Sequence, residues 1–191
     1  MNEFTIRPVR LTDAGQVSYI FAPYVLHTGI TFEYAAPDEA EFRRRISEKI
    51  KRYPFLVAER DNVILGYAFT SVFNARCGAT HTVESTVYVR ENEKGQGIGR
   101  KLYEKLEEVS AAQNILNMMA GIAYPVLDDG FVTTDSLRFH ERMGFRIVGK
   151  FEKAGFKQGH WIDLVWMEKL IGSHDEPPKE FIPFPELQII Y

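Results

Sequence analysis

Two neighbouring segments, HTVESTVYV at residues 81–89 and KGQGIGR at residues 94–100, decide how the rest of the chain is interpreted. The first alternates with period two, which is typical of a β-strand. The second places three glycines in five positions, directly before an amphipathic helix expected over 98–112. Because glycine lets a backbone approach a ligand and the first N–H groups of a helix are unpaired, this arrangement favours binding of an anion, most simply a phosphate.

The familiar phosphate-binding loops fit this segment poorly. A P-loop would require G-x-x-x-x-G-K-[ST], which the chain lacks. A dinucleotide fingerprint would require a third glycine where Arg100 stands and an acidic residue near position 120, which is absent. We therefore expect a pyrophosphate cradle at a helix start, with Arg100 and Lys101 adding positive charge. A glycine-rich turn that only begins a helix is the alternative.

Strand-like and helix-like segments alternate along the rest of the chain. The helix expected over 38–52 has acids first and bases last, among them Lys49, as suits the helix dipole. Asp61-Asn62 is a candidate hairpin turn. Further strands are expected over 4–9, 55–59, 63–73, 116–123, 145–151 and 158–167, and further helices over 13–27 and 134–143. This order predicts an α/β (α+β) fold with a mixed, mostly antiparallel central sheet flanked by helices.

The composition changes at residue 173. Four of the nine prolines fall within 177–185, which disfavours a helix and favours an extended chain. The same segment carries many apolar residues, which argues against a solvated linker. We expect a domain over 1–172 and a proline-rich strap over 173–191 that lies over the domain or over a partner subunit.

Length and composition fit a globular protein of balanced charge. The 191 residues include 23 basic and 26 acidic side chains, without the basic excess of a nucleic-acid or membrane-binding surface. One cysteine, Cys77, excludes an intrachain disulfide and a multi-cysteine zinc site, and no metal is expected. The first ten residues lack the apolar run of a signal peptide, and no window reaches the ~18 apolar residues of a membrane span. A cytoplasmic setting is the expectation.

Glu84 stands in the middle of the otherwise apolar strand over 81–89, on the same face as Thr86 and Tyr88. Burying a carboxylate is costly unless it is paired or used in chemistry. Two interpretations remain open: this face of the strand is exposed, or Glu84 has a function.

Several separated segments, taken in order, resemble the GNAT superfamily of acyl-CoA N-acyltransferases. The resemblance is more specific to the phosphinothricin and methionine sulfone/sulfoximine acetyltransferases, which modify amino acids. Besides the glycine segment, it is carried by RYPFLVAE at 52–59, TVESTVYV at 82–89, SLRFHERMGF at 136–145 and KAGFKQGHWIDLVW at 153–166. The superfamily signature [QR]-x-x-G-x-[GA] is matched by Gly97 and Gly99, whereas Lys94 departs at its first position.

The resemblance implies acetyl-CoA as the acyl donor and no metal. The main chain of Val87, Tyr88 and Val89 would follow the pantetheine arm, and one of its amides would donate to the thioester oxygen. Thr133 stands where the relatives carry an asparagine that contacts the cofactor. The pyrophosphate would be held by Lys94, Gly95, Gln96, Gly97, Ile98, Gly99 and Arg100.

The resemblance also assigns roles in catalysis. Glu84 would be the base that takes a proton from the acceptor amine, directly or through a water. His140 stands where many GNAT enzymes carry a tyrosine that protonates the departing thiolate; a packed helix histidine is the alternative. Cys77 is expected to be a peripheral or buried thiol, because the resemblance implies direct transfer in a ternary complex.

Arg76 is the leading anchor for a substrate carboxylate or phosphinate, because its guanidinium matches such an anion. Phe32 and Thr86 would line the substrate pocket. Departures at Asn74 and Ala79, and a longer loop over 124–133, bear on which substrate is chosen.

The expected function is acetyl transfer to the α-amine of a small amino acid or analogue, by a homodimer that binds neither nucleic acid nor membrane. Two alternatives stay open. The acceptor could be another amine, such as a polyamine, an aminoglycoside or a protein N-terminus, or the chain could be a non-catalytic acyl-CoA-binding regulator.

Overall fold

The computed structural model describes residues 3–127 and 129–188, except for the side chain of Cys77. Within them, seven strands form one sheet in the order β1-β2-β3-β4-β5-β7-β6. The strands are β1 Thr5–Pro8, β2 Phe55–Arg60, β3 Val63–Val72, β4 Thr82–Val89, β5 Asn117–Pro125, β6 Arg146–Lys157 and β7 His160–Leu170. The α-helices are α1 Ala14–His27, α2 Glu39–Lys49, α3 Ile98–Ala112 and α4 Asp135–Arg142.

The sheet is antiparallel except for the pair β4 and β5, which confirms the mixed, mostly antiparallel fold. This parallel pair is short, because only Thr82–Glu84 lies opposite Asn117–Met119. Both strands continue beyond these residues without pairing to each other. The sheet therefore opens into a wedge beside the second half of β4.

Each face of the sheet is covered by a different pair of helices. On one face, Leu102, Tyr103 and Leu106 of α3 pack with Val83 and Met118, in a cluster that Phe139 of α4 also joins. On the other face, α1 and α2 bury an aromatic cluster that includes Phe21, Phe42, Phe55 and Tyr67. β4 thus presents alternate side chains to two separate cores.

Local sequence signals fix several boundaries. The β2–β3 hairpin turns at Asp61 and Asn62, which have φ of 51° and 63°, as a tight primed turn requires. Asp38 caps α2 by accepting a hydrogen bond from the Glu41 N–H at 2.8 Å. That helix ends at Lys49, so the expected extension to residue 52 is wrong.

The C-terminal hairpin is longer than expected. The sequence predicted strands over 145–151 and 158–167, whereas β6 runs to Lys157 and β7 runs to Leu170. An irregularity between Phe151 and Gly155 interrupts the ladder there, and the Lys153 N–H donates to the Asp163 carboxylate at 2.7 Å. This irregularity breaks the alternation by which the strand could have been recognised.

The described part of the strap, residues 173–188, lies over the domain of its own chain. The Ile182 N–H donates to the Gln113 carbonyl at 3.1 Å, and the Phe184 N–H donates to the Arg52 carbonyl at 3.0 Å. The Arg52 guanidinium lies 4.4 Å from the centre of the Phe181 ring. Residues 189–191, the last of the predicted strap, lie outside the described residues.

Candidate active site

A cleft of about 570 Å³ occupies the wedge where β4 and β5 separate. Ten of the residues predicted to bind a cofactor line it: Val87, Tyr88, Val89, Lys94, Gly95, Gly97, Ile98, Gly99, Arg100 and Thr133. The cleft continues to α4, where Ser136, Phe139 and Arg142 contribute without having been predicted from the sequence.

The edge of β4 that faces this cleft carries unpaired main-chain groups. The Arg90 N–H donates to the Leu65 carbonyl at 2.8 Å, and an antiparallel ladder alternates bonded and non-bonded pairs. The main-chain groups of Val87 and Val89 therefore point away from β3 and toward the cleft. On this edge the Tyr24 hydroxyl donates to the Val89 carbonyl at 2.6 Å. The N–H groups of Val87 and Val89 on the same edge are placed to donate to a ligand in the cleft.

The glycine segment forms the end of the cleft nearest to α3. Gly95 and Gly97 have φ of 78° and 81°, a conformation that favours glycine, and a Cβ on either would meet no atom within 4 Å. Gly97 directly precedes α3, so that the first N–H groups of the helix are available to an anion. Gln96 does not line the cleft: its side-chain amide donates to Glu93 at 3.0 Å, although its main chain stays in the turn.

A second pocket, of about 470 Å³, also has Tyr88 among its lining residues. We call it the acceptor pocket. It has an aromatic floor and a charged rim, and Thr86 lines it as predicted. Its lining residues include Phe42, Phe55, Tyr67, Phe69, Glu33, Arg44, Arg45 and Lys49.

Glu84 lies beside the acceptor pocket, on the same face of β4 as Thr86. Its side chain is half-buried, and a Cβ on Gly121 of β5 would lie 3.6 Å from its Oε1 atom. Burial raises the pKa of Glu84, and the nearby Lys49 ammonium opposes this rise. Such a carboxyl is a better proton acceptor than one exposed to solvent.

His140 does not line the cleft, because its ring is only 4% exposed and lies in the core. Its Nδ1 contacts the Ser136 carbonyl at 2.7 Å, and its Nε2 contacts the Tyr103 hydroxyl at 2.8 Å. Burial lowers the pKa of His140 to about 4. These contacts favour a packed helix histidine, and its role as the acid stays a prediction.

The other two predicted substrate residues lie outside both pockets. Arg76 is exposed on the β3–β4 loop, where its N–H donates to the Asn74 side chain at 3.0 Å. Phe32 is 40% exposed, and its ring lies so close to Gly155 that a Cβ there would be 2.7 Å away. Phe32 therefore packs the α1–α2 loop against β6.

Lys157 is a residue of this region that the sequence did not reveal. It is 1% exposed, and its ammonium donates to the carbonyls of Thr28 and Thr31 at 2.8 Å each. The loop that it fixes contributes Ile30 to the cleft and Thr31 to the acceptor pocket. Lys157 thus positions the wall shared by the two pockets.

A cleft with free strand amides and a phosphate cradle, next to a pocket with a half-buried carboxylate, is suited to a CoA-dependent acyltransferase. The chain belongs to the GNAT acetyltransferase family, whose domain matches residues 6–166.

Named relatives narrow this class. The chain is 34% identical over 172 residues to phosphinothricin N-acetyltransferase of Alcaligenes faecalis, covering 90% of this chain and 84% of that protein. It is 29% identical to the L-methionine sulfoximine/L-methionine sulfone acetyltransferase of Salmonella typhimurium strain LT2, covering 91% and 98%. The phosphinothricin acetyltransferase of Sinorhizobium meliloti, solved in complex with acetyl-CoA, superposes with a TM-score of 0.85 at 30% identity, covering 94% and 95%.

Two further features concern the described residues, namely a metal site and a membrane-spanning helix. No group of three His, Cys, Asp or Glu side chains in 3–127 and 129–188 is arranged to hold a metal ion. None of the helices in these ranges combines the length and the apolar run needed to cross a membrane.

Proposed function

We propose that this chain transfers the acetyl group of acetyl-CoA to the α-amine of a small amino acid or amino-acid analogue. The observation that carries the proposal is the edge of β4 that is not paired with β5 and that leads to the glycine segment. Glu84 lies on the same strand, with its side chain on the face that carries the acceptor pocket. This geometry fits an extended thioester along the strand and an amine beside the carboxylate. The named activities of the relatives support the same class of acceptor.

The chain's own groups supply binding, orientation and proton transfer. The amides of the Val87–Val89 edge hold the thioester oxygen, and the amides of the glycine segment hold the pyrophosphate. Acetyl-CoA supplies an activated acetyl group. Glu84 takes a proton from the acceptor ammonium, directly or through a water; the amine nitrogen then forms a bond to the acetyl carbon, and the carbon–sulfur bond breaks. The nitrogen loses the second proton that it carries after bonding to the acetyl carbon, and the departing thiolate takes up one proton, so that the products are the neutral amide and the free thiol of CoA.

The acceptor pocket favours a zwitterion over a polycation. Its rim carries Arg44, Arg45 and Lys49 against Glu33 and Glu48, a balance that does not suit a polyamine or an aminoglycoside. Glu84 beside this pocket also favours an enzyme over a regulator that only binds acyl-CoA. Arg76 would contact the substrate only through a rearrangement of its loop.

We further propose that the protein is a cytoplasmic homodimer. Support for the dimer comes from exposed apolar side chains on the edge strand β6, namely Ile147, Val148, Phe151 and Phe156. An exposed apolar edge strand is a surface that a second chain commonly covers. The balanced charge and single cysteine fit a cytoplasmic setting.

The decisive experiment measures thiol release from acetyl-CoA with a panel of acceptors. The panel contains the standard amino acids, methionine sulfone, methionine sulfoximine, phosphinothricin, a polyamine, an aminoglycoside and a peptide with a free N-terminus. We expect release with at least one amino acid or analogue. Release only with another amine would support the alternative acceptor class.

Acetyl-CoA binding is measured in parallel by thermal unfolding. A ligand at about 100 times its Kd should stabilise the protein by about 2.7 kcal/mol. Stabilisation without turnover on any acceptor would favour the regulator, and the absence of both would contradict the proposal.

A further inference from the structure

The acceptor pocket contains three cationic side chains, and two of them are already neutralised. The Arg45 guanidinium contacts the carboxylates of Glu33 and Glu41, at 2.8 Å each. The Arg44 guanidinium also contacts Glu41 at 2.8 Å. Lys49 forms no ion pair with a carboxylate in the part of the chain that the structure describes.

Lys49 is one of the residues that line the acceptor pocket. Its ammonium is 4.3 Å from the centre of the Phe69 ring, and its side chain is half-buried. An ammonium above an aromatic face has its charge partly compensated but can still donate hydrogen bonds. Within residues 3–127 and 129–188, the Lys49 ammonium donates no hydrogen bond to another residue. A ligand oxygen is the natural partner for its N–H groups.

Lys49 also lies close to the candidate base. Phe69 is paired with Thr86 across the β3–β4 ladder, and Glu84 is two residues from Thr86 on the same face. Two residues along a strand span roughly 7 Å. The Lys49 ammonium favours the charged form of Glu84 and so opposes the rise that burial causes in the pKa of this carboxyl.

We propose that Lys49 binds the carboxylate of the amino-acid acceptor while Glu84 faces its ammonium. This inference rests on the proposed function and specifies how the acceptor is recognised. A zwitterion would place each of its charges opposite a charge of the protein, and its α-amine would be held at the base. Arg76, the anchor expected from the sequence, lies on an exposed loop outside the pocket.

The test compares two acceptors in four variants. The acceptors are L-methionine sulfone and 3-(methylsulfonyl)propan-1-amine, which is the same molecule without its carboxylate. The variants are Lys49→Met, Lys49→Arg, Arg76→Met and the control Lys179→Met, which removes an exposed lysine that lines neither pocket. KM and kcat are measured for each acceptor and for acetyl-CoA.

We expect Lys49→Met to raise the KM for methionine sulfone at least tenfold and to leave the KM for acetyl-CoA unchanged. The KM for the amine without a carboxylate should not rise in Lys49→Met, whereas a change in kcat common to both acceptors would follow from the effect of Lys49 on the pKa of Glu84. Lys49→Arg should restore much of the affinity, and Lys179→Met should behave as the wild type.

An equal effect of Lys49→Met on the KM for both acceptors would overturn the proposal, because Lys49 would then only shape the pocket. A KM for methionine sulfone that rises with Arg76→Met but not with Lys49→Met would overturn it in favour of Arg76. If Lys49→Met does not fold, Lys49→Gln provides the same comparison. A wild type that acetylates no amino acid in the panel but acetylates other amines would instead contradict the proposed function, and Lys49 would lose its assigned ligand with it.

Discussion

The cofactor cleft and the acceptor pocket share Tyr88 but are built from different parts of their residues. The free edge of β4 and the glycine turn before α3 contribute main-chain groups to the cleft, whose lining also includes Phe139 and Arg142 of α4. The acceptor pocket is bounded by side chains, mostly aromatic rings and charges contributed by α1, α2, β2, β3 and the loop before α2. Main-chain groups are present whatever the side chains are, so they suit a ligand that stays the same, such as a cofactor. A pocket lined by side chains can be adapted to a different ligand by amino-acid substitutions.

This difference predicts where mutations act. Side-chain changes in the acceptor pocket should alter catalysis and the choice of amine without affecting acetyl-CoA. Along the β4 edge and the glycine turn of the cleft, changes that alter the backbone should matter more than changes of side chain.

The largest effect is expected for Glu84→Gln, which keeps the shape of the side chain and removes the base. We expect kcat/KM for the amine to fall by about 10²–10⁴-fold at neutral pH, the usual contribution of general base catalysis. The KM for acetyl-CoA should not change. Glu108→Gln, an exposed acid on α3, is the control.

The pH profile gives a second readout. A base must be deprotonated to accept a proton, so activity is lost as the pH falls through its pKa. Because burial raises the pKa of Glu84, with Lys49 opposing, this acidic limb should lie above the ordinary range of a glutamate. Glu84→Gln should lack this limb. A variant with wild-type turnover from about pH 6 to about pH 9 would show that another group takes the proton.

A smaller effect is expected for Lys157→Met, because Lys157 touches neither pocket directly. Its loss leaves the carbonyls of Thr28 and Thr31 without their buried donor. We expect a decrease of about 2 kcal/mol in the free energy of unfolding, within the usual cost of an unsatisfied buried polar group. The KM values for acetyl-CoA and for the amine should both rise, because the loop that Lys157 fixes borders both pockets.

Lys153→Met, on an exposed residue of the same strand, is the control for Lys157. A rise in only one KM would show that the loop does not act as a common wall. Denaturant unfolding and initial-rate kinetics on the same samples separate the two effects.

The sequence predicted the cleft well because its determinants are local. A strand, three glycines and a helix follow one another within residues 82–112, and this order alone brings together nine of the ten predicted residues that line the cleft. The tenth, Thr133, comes from a later loop. Gln96 is the exception: the turn directs its side chain to Glu93. His140 was assigned by resemblance, and its contacts with Ser136 and Tyr103 could not be deduced from its position in the sequence.

The acceptor pocket was harder to predict because its residues come from distant segments. From the sequence, Lys49 was interpreted only as a basic residue that suits the helix dipole at the end of α2. Its spacing from Phe42 and Ile46, however, places all three residues on the buried face of that helix. That helical period was the available signal. For Lys157, the irregularity between Phe151 and Gly155 shifts the alternation of β6, so that its burial could not be inferred from the strand pattern.

The smallest effects are expected in the glycine segment, where a change of backbone and a change of side chain can be compared at adjacent positions. Gly97→Ala introduces only a methyl group, which would meet no neighbouring atom, but the residue has φ of 81°. Holding an L-residue in that conformation costs roughly 1–2 kcal/mol, and any relaxation moves the amides that would hold the pyrophosphate. We therefore expect the KM for acetyl-CoA to rise about tenfold. Gln96→Ala removes a larger side chain from the adjacent position and should leave this KM unchanged, because Gln96 contributes only its main chain. If both variants changed the KM equally, side chains would be holding the cofactor, and the main-chain character assigned to the cleft would be wrong.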